Sequence, residues 1–93
     1  MDEEFVFKPS AFKHGIEEVD IRHAFKRRMF DHALDGEGYK NLLLGLACDG
    51  SLLEFIYNVF EDDVINVFHA MKCRKAYLGL LRTIAGDMGD RND

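Results

Sequence analysis

Residue types suited to acid–base chemistry on an anion concentrate around residue 70 of this 93-residue chain. His69 is followed closely by the cations Lys72 and Arg74. A neutral imidazole accepts a proton near pH 7, and a cation stabilises the charge that develops on a reacting phosphate. Together such groups could hold an anion and transfer a proton beside it. The candidate catalytic residues, which include two proton-transfer groups from elsewhere in the chain, are Arg74, Lys72, His69, His14 and Glu54.

Other basic residues are candidates for contacts to a phosphate backbone, whereas no residue pattern indicates a metal centre. The candidate contacts are Lys13, Arg22 and Lys75. The four histidines lack the three- or four-residue spacing of zinc ligands on a helix, and Cys48 and Cys73 do not form a CxxC pair. We therefore predict no metal and no cofactor.

Two hydrophobic periods meet in the segment Val64–Leu81 and predict a strand that leads into a helix. Up to Met71 the apolar residues alternate with a period of two, and from Cys73 onward they recur at helical spacing. Positive charge lies at the junction. A strand that ends in positive charge and leads into a helix is a common place to hold an anion.

The rest of the chain predicts a single α+β domain over residues 1–93, with two N-terminal helical segments, an antiparallel β-meander of three to four strands and a C-terminal helix. The predicted elements are a strand at Phe5–Phe7, a helical turn at Ser10–His14, a helix at Glu17–Arg28, strands at 29–34, Tyr39–Cys48, Ser51–Phe60 and Val64–Met71, and a helix at Cys73–Ala85. We expect an ordered core over about residues 5–85 and mobile acidic termini at 1–4 and 86–93.

The turn signals also predict which residues share a face of the sheet. Asp49-Gly50 is a two-residue hairpin signal, which would pair Leu46 with Leu53. Pairing Phe60 with Val64 across the acidic turn then places His69 on the core face, beside Phe55 and Tyr57. The opposite face mixes polar and large apolar residues and is predicted to be open, because no helix remains to cover it. Its apolar residues, predicted to contact a partner, are Leu43, Ile56, Phe60 and Phe68.

Three of the candidate site residues therefore have a competing structural interpretation. On the core face, His69 would be a buried histidine that is hydrogen-bonded for structural reasons. On the open face, Glu54 would form a surface ion pair with the nearby cations. Arg74 would be an exposed residue at the start of a helix. The sequence leaves these alternatives open.

Charge and composition narrow the class of protein. The net charge of −5 gives no general attraction to nucleic acid, although it arises from the termini: without residues 1–4 and 86–93, eleven acidic and eleven basic residues remain. No apolar run resembles a signal peptide or a membrane span, and two thiols without a CxxC pair are typical of a reducing compartment. We predict a cytoplasmic protein.

Two segments resemble one family. AFKHGIEEVDIRHAF is similar to the opening Lys-His-Gly segment and acidic helix of BrnT-type toxins, and VINVFHAMKCRKAYLGLL resembles their closing strand and basic helix. The resemblance covers roughly residues 5–82. It implies a RelE-like fold, in which helices back an antiparallel sheet, and a ribonuclease toxin that an antitoxin neutralises. The chain departs from the family in its acidic charge and in the apolar end of its last helix.

The resemblance therefore implies the toxin component of a toxin–antitoxin system, a metal-independent endoribonuclease that inhibits translation. The alternative is a non-catalytic domain that forms dimers or binds another protein through the predicted open face. The partner of the chain would be an antitoxin or a second copy of itself. RNA would be the substrate if the chain is a nuclease. Neither reading involves a membrane.

Overall fold

A computed structural model of the chain describes residues 3–34, 39–60 and 62–81. The elements in chain order are β1 (Phe5–Phe7), a 3-10 helix (Pro9–Phe12), α1 (Glu18–Lys26), β2 (Arg28–Ala33), β3 (Asn41–Leu46), β4 (Leu52–Val59), β5 (Ile65–Lys72) and the helical residues 75–81, here named α2. The predicted α+β class is confirmed. The predicted turn at 35–38, the last helix beyond residue 81 and most of the acidic termini lie outside the described residues.

The five strands form one mixed sheet in the order β1-β5-β4-β3-β2. Strands β2 to β5 make the predicted antiparallel meander, whereas β1 pairs in parallel with β5, with Phe5 opposite Ile65. This parallel pairing was not predicted, because a three-residue strand carries too little pattern to reveal its partner. It brings the 3-10 helix and the loop that carries His14 to the edge of the sheet near β5.

The β3–β4 hairpin differs from the prediction by one residue. Leu46 pairs with Leu52 rather than with Leu53. The Ala47 N–H donates to the Ser51 carbonyl at 2.8 Å, and Gly50 closes a three-residue loop with φ +86°. Such a loop ends in a left-handed residue, which glycine adopts without strain. A one-residue slip moves every side chain of one strand to the other face of the sheet relative to its partner.

The β4–β5 pairing changes register within the strands. Val59 pairs with Ile65 and Tyr57 with Val67, as predicted, but the next pair is Ile56 with His69. One extra residue, a β-bulge, therefore lies in β5 between Val67 and His69. The prediction that His69 lies on the core face beside Phe55 and Tyr57 is wrong, because the bulge turns it to the opposite face.

The sheet has two covered faces. The α1 face is the face that packs on α1, and the α2 face is the opposite one. The main core lies on the α1 face, where buried residues of α1 and the 3-10 helix meet those of the strands: Ala11, Ile21, Ala24, Leu43, Leu53, Phe55, Tyr57, Ile65, Val67 and Ala70. On the α2 face, Leu42 and Leu44 are buried as well. Strand β3 is thus buried on both sides, which explains its continuous apolar run.

Close packing fixes α1 against β3 at a single glycine. A Cβ atom at Gly45 would lie 2.1 Å from the carbonyl oxygen of Ala24, so only glycine fits there. The helix begins with Glu18 and Asp20 and ends with His23 and Lys26, an arrangement that complements the helix dipole. It stops at Lys26 because Arg28 already belongs to β2. None of the described helices has the length and hydropathy of a membrane span.

Candidate acid–base site on the α2 face

The centre of the candidate site is Glu54, a carboxylate on β4 whose side chain is fully buried. Its oxygens accept hydrogen bonds from the Arg74 backbone N–H at 3.0 Å, from Arg74 Nη2 at 2.7 Å and from His69 Nε2 at 3.0 Å. A buried charge is tolerated only when it is compensated in this way. The predicted ion pair with a nearby cation is present, with Arg74, but it is not a surface pair, because the start of α2 lies over this face of the sheet and buries the carboxylate.

Arg74 holds the carboxylate with one edge of its guanidinium. Nε donates to both Glu54 oxygens, at 3.1 and 3.2 Å, beside the Nη2 contact. Half of the Arg74 side chain remains exposed, and its Cζ lies 5.2 Å from the centroid of the Tyr77 ring. The backbone just before Arg74 is held on the sheet, because the Cys73 N–H donates to the Leu52 carbonyl at 2.9 Å. The exposed edge of the guanidinium can still bind an anion.

His69 is oriented by the same carboxylate. An ionised carboxylate only accepts hydrogen bonds, so the neutral imidazole donates from Nε2 and its acceptor nitrogen is Nδ1. No residue within 3–34, 39–60 and 62–81 hydrogen-bonds that nitrogen. The ring of His14 lies edge-on to His69, with 5.5 Å between centroids. A carboxylate that orients an imidazole is a common arrangement for a proton acceptor.

The electrostatics keep Glu54 ionised. Burial raises the pKa of the Glu54 carboxyl, but the hydrogen bonds from Arg74 and His69 outweigh it, and the net pKa lies below its ordinary value. The same contact with Glu54 raises the pKa of Arg74. Glu54 therefore serves to orient His69 and Arg74 rather than to accept a proton itself.

Four of the five predicted catalytic residues come together in this cluster: His14, Glu54, His69 and Arg74. Lys72 does not join them. It pairs with Leu53 and therefore projects from the α1 face, where its charge helps to lower the pKa of Asp49 after the hydrogen bonds from Ser51. Strand β5 ends at Lys72, and the chain leaves the strand geometry at Cys73, so Arg74 reaches Glu54 on the α2 face while Lys72 projects from the α1 face.

The predicted RNA contacts lie in two places. Lys13 is exposed next to His14, and Lys75 is exposed at the first residue of α2, so both lie next in sequence to residues of the cluster. Arg22 lies on α1, on the opposite side of the sheet. It pairs with Glu18 at 3.6 Å and its Cζ stands 4.9 Å from the centroid of the Phe5 ring.

The four predicted interface residues do not form one surface. Leu43 is fully buried on the α1 face, so the prediction that it meets a partner is wrong for the folded chain. Ile56 and Phe68 are half-buried, and the ammonium of Lys40 lies 5.6 Å from the Phe68 ring centroid. Phe60 is 55% exposed just beyond the end of β4.

A groove of about 350 Å³ lies beside the cluster, between α2 and the edge of the sheet. Its aromatic and apolar lining includes Phe30, His32, Leu42, Tyr77 and Leu80. Sequence reasoning did not select Tyr77 or His32 as site residues, because Tyr77 fits the apolar period of a helix and His32 fits an exposed strand position. Glu54, by contrast, was among the predicted site residues, and its position as the one acidic residue within the apolar strand Leu52–Val59 marks it in the sequence.

The described residues hold no group of three or more histidine, cysteine, aspartate or glutamate side chains able to bind a metal ion. The fold and the cluster define a small α+β protein with a five-stranded mixed sheet and a buried carboxylate that orients an imidazole and a guanidinium. No protein-family model matches the chain, and neither curated proteins nor solved structures include a match.

Proposed function

We propose that this chain is a metal-independent endoribonuclease, the toxin of a toxin–antitoxin pair with a RelE-like arrangement of the BrnT type. The observation that carries the proposal is the cluster itself. Residues from three distant parts of the chain, His14, Glu54 and the His69–Arg74 segment, meet at one half-exposed position. Together they supply a proton acceptor, a second imidazole and a cation, which are the groups that RNA cleavage requires without a metal.

The proposed reaction is an internal transesterification. His69 Nδ1 removes the proton of the ribose 2′-hydroxyl while that oxygen attacks the adjacent phosphorus. The bond from phosphorus to the 5′ oxygen of the next nucleotide breaks, and this oxygen takes a proton from His14. The exposed edge of Arg74 binds the non-bridging phosphate oxygens, whose charge increases in the transition state. The products are a 2′,3′-cyclic phosphate and a free 5′-hydroxyl, with no change of oxidation state.

The setting of this activity follows from the same proposal. The protein acts on RNA in the cytoplasm, and an antitoxin bound over the site keeps it inactive. The half-exposed cluster is compatible with such control, because a bound chain can cover Arg74 and His14 without entering the core.

Growth arrest on induced expression tests the proposal. The wild-type chain is expected to stop growth, and His69→Gln is expected to permit it. Glutamine can still donate to Glu54 but cannot serve as a base near pH 7. Tyr39→Leu, at a tyrosine that is 87% exposed, is the matched control and should still arrest growth. A folded, soluble wild-type chain that leaves growth unaffected would contradict the proposal.

The second candidate, self-association without catalysis, rests on the apolar surface at the β4–β5 turn. Val59 is 46% exposed and Phe60 is 55% exposed, side by side in the sequence. Light scattering of the wild-type chain and Phe60→Asp tests it. This candidate predicts a dimer that the substitution dissociates, whereas a monomeric wild-type chain would exclude it.

A further inference from the structure

We propose that the groove between α2 and β2 binds a nucleobase of the RNA whose phosphate Arg74 contacts. This inference rests on the proposed function, because it names the part of the substrate that lies next to the reacting phosphate. It assigns a ligand to side chains that take no part in the proton transfers, namely Phe30, His32 and Tyr77.

The lining of the groove suits a flat aromatic ring. The rings of Phe30 and His32 lie 4.7 Å apart between centroids, at an angle of 36°. Tyr77 faces them from α2, and Leu42 and Leu80 complete an apolar lining. A volume of about 350 Å³ falls within the range of about 300–1,000 Å³ that small-molecule sites occupy. Aromatic side chains bind nucleobases by stacking, and this contributes strongly to binding of single-stranded RNA.

The groove is continuous with the acid–base site through Tyr77. One face of that ring carries the Arg74 guanidinium, 5.2 Å from the centroid, and the same residue lines the groove. The Tyr77 N–H also donates to the Arg74 carbonyl at 2.9 Å, which holds the two residues in the same turn. A phosphate at the exposed edge of Arg74 therefore lies one side chain away from a base in the groove.

This continuity favours a nucleotide over other apolar occupants. A lipid tail or an apolar peptide would use Leu42 and Leu80 but would gain nothing from a guanidinium at the end of the groove. A nucleotide has a flat aromatic base that can stack next to an anionic phosphate, and the groove places aromatic rings next to a cation. The imidazole edge of exposed His32 adds a polar group that can hydrogen-bond a base edge.

The test is an NMR titration of the full chain with two kinds of probe, inorganic phosphate and the four ribonucleoside 3′-monophosphates. The nucleotides should shift the ring signals of Phe30, His32 and Tyr77, whereas inorganic phosphate should shift only the signals around Arg74. The tightest-binding nucleotide is expected to bind about tenfold more strongly than inorganic phosphate, because one stacked base contributes on that scale.

Two variants test whether the groove residues supply the additional affinity for nucleotides. Tyr77→Leu keeps apolar bulk and should reduce nucleotide affinity to that of inorganic phosphate, and His32→Ala, at an exposed position, should reduce it in the same direction. Tyr39→Leu is the control and should bind nucleotides as the wild type does. Equal affinities of the wild-type chain for phosphate and nucleotides would overturn the proposal, as would groove variants that change self-association but not nucleotide binding.

The binding experiment tests the groove separately from the nuclease activity, because it does not require RNA to be cleaved. Loss of the proposed function would appear as intact RNA with the nucleotide preference retained. Loss of the groove proposal would appear as equal affinities for phosphate and nucleotides, even where RNA is cleaved in a His69-dependent way.

Discussion

Glu54 contributes both to the stability of the fold and to the geometry of the candidate acid–base site. Its carboxylate is fully buried between the sheet and the start of α2, and it is compensated by one guanidinium, one backbone N–H and one imidazole. Removing one partner from a buried ion pair is costly, because the other is left without compensation. The same contacts that hold α2 on the sheet also set the orientation of His69 and Arg74.

The substitution Glu54→Gln tests this coupling. Glutamine keeps the shape but loses the charge and has fewer acceptor positions, so we expect the free energy of unfolding to fall by about 2 kcal/mol, the scale of a hydrogen bond to a charged group. Urea denaturation measures the change. Glu18→Gln, which removes an exposed ion pair with Arg22, is the matched control and should have little effect. Equal stability of the two variants would contradict the buried role of Glu54.

The free energy of unfolding should also depend on pH in the way expected for a buried, ionised Glu54. The pKa of Glu54 is lower in the folded chain than its usual value of 4.5, so the ionised carboxylate stabilises the fold above that range. This contribution is lost as the pH falls through the folded-state pKa. The difference in free energy of unfolding between the wild type and Glu54→Gln should therefore shrink from pH 6 to pH 3. A difference that is constant or grows in acid would show that Glu54 is not held ionised.

The sequence identified both Glu54 and His69 as candidates but placed them on opposite faces. Their residue types pointed to acid–base chemistry without any knowledge of position. Their contact depends on the bulge near Phe68, which puts His69 on the same face as Glu54, and the alternation of apolar residues does not reveal a bulge. Tyr77 fits the apolar period of the last helix, and that period does not say which face of the sheet the helix covers or that Tyr77 lines a groove.

At the scale of elements, the position of α1 depends on the contact between Gly45 and the backbone of Ala24. We expect Gly45→Ala to destabilise the fold by about 1–3 kcal/mol, because the new methyl group would meet a carbonyl oxygen that no rotamer change can move. Thermal unfolding measures this. Gly79→Ala in α2 is the control: nothing lies within 4 Å of the added atom, and helix propensity predicts a gain of up to about 1 kcal/mol. A neutral Gly45→Ala would mean that α1 can shift away from β3.

Most elements could be predicted from the sequence, whereas the register could be predicted only next to the β4–β5 turn. The strands of the meander and α1 follow from periodicity and charge, and Gly15 ends the turn after the 3-10 helix in the left-handed conformation, with φ +79°. The Asp49-Gly50 dipeptide correctly indicates a hairpin but does not distinguish a two-residue loop from a three-residue one. That single residue decides which leucines of β3 face α1 and which face α2.

At the scale of the whole molecule, both faces of the sheet are covered in the described part of the chain. The half-exposed cluster lies where the 3-10 helix region, β5 and the start of α2 approach each other. This juxtaposition depends on the parallel pairing of β1 with β5, a contact between residues about sixty positions apart. Such long-range pairing is invisible to local patterns, and for this reason the meeting of His14 with His69 could not be derived from the sequence.

The few cations around the cluster allow a prediction of how the affinity for RNA depends on salt. The chain has a net charge of −5, and the cations at or next to the cluster are Lys13, Arg74 and Lys75. Three phosphate contacts on a single strand give a slope of about −2 for log affinity against log salt. Fluorescence anisotropy with a 2′-O-methyl oligonucleotide, which cannot be cleaved, measures the slope. A slope twice as steep would indicate a larger basic surface than the one around the cluster.

The most direct test of the central claim, that His69 oriented by Glu54 is the proton acceptor in RNA cleavage, is a single-turnover assay with the purified chain and a defined RNA. We predict that the wild type yields 2′,3′-cyclic phosphate ends, that His69→Gln is slower by about 100-fold or more, and that Tyr39→Leu matches the wild type. Cleavage by folded His69→Gln at the wild-type rate, or intact RNA with the folded wild-type chain, would contradict the claim.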